Sequence, residues 1–307
     1  LVKIRQERKG IYLTVFICAN RVEEYCRYHA LVSITAKDMA NQNKPTARSA
    51  NFLMTGNGEK KNYASDSTHW YDKDGQPRYT YTNKKGETKP TTWREAKKHG
   101  WVPSVTTVLK VMAAPGLENW KQDQVLMSAA TMPHDNLTDE EWRKAVKQEA
   151  KEKAIAAAER GTQFHADIER WLQGQTTSCL ETCELISMRL KGIGIDLAMG
   201  RAEHSFAHEL GFGGKVDWHN AFAVVDFKTK DVLGDKTDKE LAYDEHRCQL
   251  AAYAHGLGLW PVRCVNVFVG IDDGKVVVAE HSMEDLERAW SKFYHALAIW
   301  KLDHGLK

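Results

Sequence analysis

The sequence predicts an α/β fold, a mixed central sheet flanked by helices, with an N-terminal accessory region ahead of it. Three observations lead there. Near residue 200 the apolar period switches from helical spacing to strand alternation. Segments 202–210, 212–219 and 222–229 then read as three strands joined by tight turns at Gly211 and around Asn220. A helical pattern from Glu245 to Leu257 follows, then strand patterns at 264–270 and 275–281 and a closing helix from Glu284. That order of elements is an α/β core rather than a bundle or a sandwich.

Before the core, Lys3 to Lys9 is basic and Ile11 to Ala19 apolar, an arrangement that superficially resembles a signal peptide. The run is short, and Ile17 stands where a small residue is wanted before either Ala19 or Cys18. The expectation is that residues 1–38 are a dispensable or translated upstream extension with the native start at Met39. Residues 39–68, rich in Asn, Lys, Ser, Thr and Gly, read as a flexible arm. From 69 to 137 an accessory β/α region is expected. Arg78 to Thr82 is β-prone between Asp74-Gly75 and Lys85-Gly86, and Thr92 with Glu95 makes a capping box for a helix stopping at Gly100. Val102 to Leu109 is β-prone, and Pro115-Gly116 opens a helix carrying Trp120. The core is expected over 138–307, beginning with a long helix capped by Thr138 and interrupted at Gly161. Phe164, Ile168, Trp171 and Leu172 continue at helical spacing, and a further helix spans Glu181 to Met199.

The 307 residues are 42% hydrophobic and 27% charged with net charge +2, so any nucleic-acid-binding surface must be local rather than a property of bulk charge. Six scattered cysteines do not make a disulfide framework, which points to a reducing cytosol. No segment approaches the ~20 apolar residues that span a bilayer. Lys84, Lys85, Lys89, Lys97 and Lys98, interleaved with Tyr79, Tyr81, Trp93 and Trp101, read either as a wall tracking single-stranded DNA or, preferably, as a solvated face over a small core.

The chemistry concentrates around Asp226-Phe227-Lys228. In a strand Asp226 and Lys228 project from one face while Phe227 turns into the core. Asp217 lies nine residues earlier on the partner strand of a hairpin, with Gly213-Gly214 just before it allowing a close approach. Two carboxylates about 4 Å apart repel by roughly 4 kcal/mol at an effective dielectric of 20, so such a site holds either a proton or a cation. Oxygen ligands suit Mg²⁺ or Mn²⁺, and a neighbouring lysine can orient water or stabilise charge on a phosphate. An ordinary hairpin with exposed charges fits these three residues equally well. His165 and Glu169 share one helix face, as do Gln249 and Tyr253. Cys179 and Cys183 also share a face, as two metal ligands or, more simply, as buried thiols.

In chain order these residues resemble the RecB-like branch of the PD-(D/E)XK nuclease superfamily. The resemblance runs over 161–281 through Gly161-x-x-x-His165-x-x-x-Glu169, Glu203, Gly214-x-x-Asp217, Asp226-x-Lys228-Thr229 and Gln249-x-x-x-Tyr253. Pro103-Ser104-Val105-Thr106-Thr107 is similar to a Ser-Val-Thr element of phage exonucleases and mitochondrial genome maintenance exonucleases, which points to a phage or prophage type. The resemblance implies a restriction-endonuclease-like core in which Asp217, Asp226 and the Phe227 carbonyl bind Mg²⁺ or Mn²⁺, with His165 as a nitrogen ligand. Lys228 would position the attacking water. Gln249 and Tyr253 would hold the DNA backbone or support the lysine, with Glu169 in the same DNA-binding set. Glu203 would back the centre or take a second metal. Ser104 and Thr106 would contact a phosphate, unless they belong to a β-prone core segment.

No cysteine follows Cys264, so no iron–sulphur cluster is expected, and no P-loop is present. The function implied is a metal-dependent deoxyribonuclease, an exonuclease on linear or single-stranded DNA in phage recombination or replication, in the cytoplasm of a bacterial host. A recombinase, a single-strand-binding protein or further copies of the chain are the implied partners, and no membrane. A structure-specific endonuclease and an inactive DNA-binding module of the same fold are the alternatives.

Overall fold

In the computed structural model residues 69–306 are described; the Met39 start and the arm over 1–68 lie outside the described residues. Two short antiparallel pairs come first: β1 (Trp70–Tyr71) with β4 (Val102–Pro103), and β2 (Thr80–Thr82) with β3 (Thr88–Pro90). Helix α1 (Trp93–His99) stands between β3 and β4, with Thr92 accepting from the Glu95 amide. Trp93 is half-buried, packing against Trp70 and Trp300 at ring distances of 5.8 and 5.7 Å, with Lys97 Nζ 5.5 Å from its ring and Lys98 paired with Glu95.

The β-prone run over 102–109 does not continue as a strand. It stops at Pro103, and Ser104 Oγ accepts from the Thr107 amide at 3.0 Å to cap a short helix, α2 (Val105–Leu109). A serine in extended conformation ahead of a helix satisfies an otherwise orphaned amide, and here that outweighs the β propensity of Val and Thr. Helix α3 (Pro115–Thr131) follows, then α4 (Asp139–Leu172), opened by a full Thr138–Glu141 capping box. Gly161 does not interrupt α4, which is continuous for 34 residues. A Cβ on Gly161 would lie 2.9 Å from Thr229 Oγ1, so the glycine serves a close helix–strand crossing. Helix α5 (Leu180–Gly192) ends seven residues earlier than the sequence pattern predicts, because Gly194 adopts φ 79° and Asp196 caps a separate 3-10 turn, Leu197–Met199.

The central sheet has the order β5 (Arg201–His208), β6 (Phe212–His219), β7 (Ala223–Lys230), β8 (Arg263–Gly270), β9 (Val276–Glu280). Only β7 and β8 run parallel, joined by α6 (Asp238–Leu241) and the crossover helix α7 (Asp244–Gly256); α8 (Met283–Asp303) closes the chain. The protein is therefore a mixed α/β fold with a five-stranded mixed sheet flanked by helices. On one face Phe164, Ile168, Cys183 and Ile186 of α4 and α5 pack on Val225, Phe227 and Val267. On the other, Cys248 and Ala252 of α7 and Phe293 and Trp300 of α8 pack with Val216, Val224 and Cys264. Trp70, Val105 and Val108 join that second cluster, which ties the 69–109 region into the same core.

Strand β6 changes allegiance between these layers. Val216 belongs to the α7/α8 side, whereas Trp218, two residues on, belongs to the α4/α5 side. Regular alternation would put both on one face. The change coincides with Glu203 on β5, whose φ of 54° is left-handed for a non-glycine residue. The ladder pairs Ala202 with Trp218 and His204 with Val216, so Glu203 stands opposite Asp217 at the turning point. Among the described residues no helix is long and apolar enough to cross a membrane.

Candidate active site

Where β6 twists, it also parts from β7. Their ladder consists of Trp218–Val225 and His219–Val224, and beyond it Asp217 Oδ2 accepts the Phe227 amide at 2.7 Å. The side chain thus takes the place of a missing strand partner. A strand residue turns its N–H and C=O to the same edge, so the Phe227 carbonyl faces the same opening. From α4, His165 Nδ1 reaches to 3.8 Å from Asp217 Oδ2. Gly161, one turn earlier, is what brings this helix against β7.

Asp226 is 2% exposed and held by three donors. Gln249 Nε2 and Asn266 Nδ2 each donate at 2.9 Å, to Oδ1 and Oδ2, and Lys228 Nζ lies 2.9 Å from Oδ2. Gln249 is fully engaged: its second amide contact runs to Tyr253 Oη at 2.8 Å and its carbonyl accepts Lys228 Nζ at 2.9 Å. Gly214 admits the Tyr253 ring, since a Cβ there would lie 2.8 Å from its Cε1. Behind Asp226, Asn266 Oδ1 is 2.8 Å from His281 Nε2.

The electrostatics follow from this crowding. Burial and the nearby Asp226 carboxylate push the Asp217 carboxyl above the usual range, against the opposing pull of His165 and Lys228. Burial works against the charge on Lys228, but the Asp226 and Asp217 carboxylates outweigh it and hold the ammonium above the ordinary lysine value. Burial and the same two carboxylates push the Tyr253 phenol well up, so it is a neutral hydroxyl at physiological pH. Burial pushes His281 down to about 4 and, reinforced by Lys228 and Lys230, His246 down to about 3.

The structure therefore brings together His165, Asp217, Asp226, Phe227, Lys228, Gln249 and Tyr253. Glu203 and Glu169 form an adjoining group around Lys215 Nζ, which contacts Glu203 directly and lies 3.9 Å from Glu169. Ser104 caps α2 and Thr106 lies in its first turn. The buried Ser104 hydroxyl is engaged with the Thr107 amide and hydroxyl and lies 3.0 Å from that of Thr106. Asn266 and His281 escape the sequence reading, although an asparagine inside the apolar run Val265 to Val269 is a signal, because a polar group buried there needs partners. Among the described residues no group of three or more His, Cys, Asp or Glu is gathered as a ready cation cage. Cys179 and Cys183 have Sγ atoms 3.5 Å apart, and all four described cysteines are free. A cavity between α7 and α8 is lined by Asp244, Arg247, Asp285 and Arg288, whose charges pair with one another.

The chain matches no protein-family model and no curated protein. Among solved structures it is similar to one described as "Crystal structure of SSO0001", at 12% identity and a TM-score of 0.24, over 58% of this chain and 85% of that one.

Proposed function

We propose that this protein is a metal-dependent deoxyribonuclease with a restriction-endonuclease-like core of the RecB-like type, acting as an exonuclease on linear or single-stranded DNA. One observation carries the reading: a charged lysine is locked between Asp226 and Gln249, beside a second acid whose ionisation Asp226 opposes. Such crowding is costly unless a positive charge relieves it. The donors available, the Asp217 and Asp226 carboxylates, the Phe227 carbonyl and the His165 imidazole, are mostly hard oxygen ligands and fit Mg²⁺ or Mn²⁺. When bound, a divalent cation supplies Lewis-acid stabilisation of charge on the scissile phosphate.

The remaining work falls to the chain's own groups. The Asp226 and Asp217 carboxylates favour the charged form of Lys228, which suits it to orient water and offset developing negative charge. Gln249 fixes the direction of that ammonium by accepting from it while donating to Asp226. The Tyr253 hydroxyl accepts from Gln249, which leaves its own proton for a phosphate oxygen. Asn266 and His281 brace Asp226 from the sheet.

The test is an incubation of the protein with end-labelled linear duplex, linear single-stranded and covalently closed circular DNA, in Mg²⁺, in Mn²⁺ and in chelator. Metal-dependent loss of linear DNA with circles intact, abolished in Lys228→Ala, is the expected result. Cleavage of circles would make it an endonuclease, and binding without cleavage in either metal would make it an inactive DNA-binding module.

A further inference from the structure

We infer that Lys215 fills the place of a second cation, so that the centre takes one divalent metal ion rather than two. This rests on the nuclease reading and turns on Lys215, to which that reading gives no role.

Helix α4 reaches strand β6 through two successive side-chain contacts. His165 faces Asp217, and Glu169, four residues on, faces Lys215, two residues back along the strand. Four helical residues advance about 6 Å and two strand residues about 6.7 Å, so the two contacts keep step. Glu203 stands opposite Asp217 and turns its carboxylate onto Lys215. Were residue 215 neutral, Glu169 and Glu203 would face each other one step from Asp217 with no counter-charge between them. That is an oxygen-rich acidic hole of the kind that draws a hard cation.

Two further features separate this arrangement from an incidental surface ion pair. The Glu203 side chain is only 18% exposed, and its backbone is held at φ 54°, a conformation that persists only where its surroundings impose it. Charge balance points the same way. Asp217, Asp226, Glu203 and Glu169 carry four negative charges against the two positive charges of Lys215 and Lys228. One divalent cation makes the group neutral, whereas two would leave it doubly positive before substrate arrives. Without Lys215 the deficit grows and a second cation becomes favourable.

Titration of the full chain with Mn²⁺, following the free-ion electron paramagnetic resonance signal, counts the sites directly and does not depend on activity. The wild type is expected to bind one Mn²⁺, Lys215→Met two, and Lys215→Met with Glu203→Gln one again. Lys215→Arg keeps the charge and should bind one. Lys215→Gln carries the same test if the methionine variant fails to fold by circular dichroism. One ion in wild type and in both neutral Lys215 variants overturns the inference and leaves the metal centre standing. Two ions in the wild type do the same. No Mn²⁺ bound by the wild type overturns the metal centre itself, and this inference with it.

Discussion

Asp217 Oδ2 accepts the backbone N–H of Phe227 at 2.7 Å, so one acid both replaces a strand partner and faces the Asp226 carboxylate. These two roles can be separated. Asp217→Asn retains an acceptor for the amide and removes the repelled charge. Without metal it should raise stability by on the order of 1 kcal/mol, a gain typical where an active-site strain is relieved, while cleavage falls at least ~100-fold. Because the folded pKa is raised, the wild-type carboxyl contributes stability below its unfolded value that is lost as pH rises through the folded one. Thermal melts in chelator from pH 3 upward should show that loss in wild type and not in Asp217→Asn.

Lys228 and Gln249 form the next test. Lys228→Met should lower the single-turnover cleavage rate by ~10²–10³-fold, the usual cost of losing one preorganised donor. DNA affinity measured in Ca²⁺ should change only a few-fold. Gln249→Leu leaves Lys228 and Asp226 in place but removes the group that orients both, so a smaller loss of roughly 10-fold is expected, in rate and not in affinity.

Gly161→Ala would ordinarily stabilise a helix interior by roughly 0.5–1 kcal/mol. Here the new Cβ meets Thr229 Oγ1 at 2.9 Å, and we expect the crossing of α4 on β7 to give rather than the Thr229 rotamer, carrying His165 away from Asp217. Cleavage should drop about 10-fold with the fold intact. Thr229→Ala removes the opposing atom, and the double variant should recover most of the rate. A double variant no better than Gly161→Ala would show that the crossing distance is not what matters.

His281, buried against Asn266, supplies a pH dependence of stability. Its folded value of about 4 lies below the ordinary imidazole value of 6.5, so the unfolded chain binds more protons between them and stability falls as pH drops through that window. The full effect is about 3 kcal/mol at one pKa unit per 1.36 kcal/mol. Urea denaturation at pH 4 and pH 7 should show a smaller difference in His281→Gln than in wild type, with His246 accounting for part of what remains.

The sheet was readable because its strands combine apolar runs with clear turns: Gly211 and Asn220 bound β6, and the predicted strands fall within one or two residues of those observed. Spacing alone pairs Asp226 with Lys228, His165 with Glu169 and Gln249 with Tyr253, because i, i+4 residues on a helix and i, i+2 residues on a regular strand share a face, whereas their gathering at one site was legible only through the resemblance. Three features were not readable. Val102 to Leu109 has the composition of a strand, and only the Ser104 cap turns it into a helix. Gly161 looks like a helix breaker until Thr229 is placed beside it. The pairing of Lys215 with Glu203 depends on a strand twist that no local propensity encodes, because it arises where the two packing layers compete for β6.

That competition makes the chemistry hostage to both halves of the interior. A centre resting on a single layer could outlive the loosening of the other. Asp217 sits at the seam, with Val216 anchored in one layer and Trp218 in the other. Detachment of either set of helices would rotate the acid out of line with Phe227, so inactivation should accompany the first cooperative opening of the domain rather than follow it.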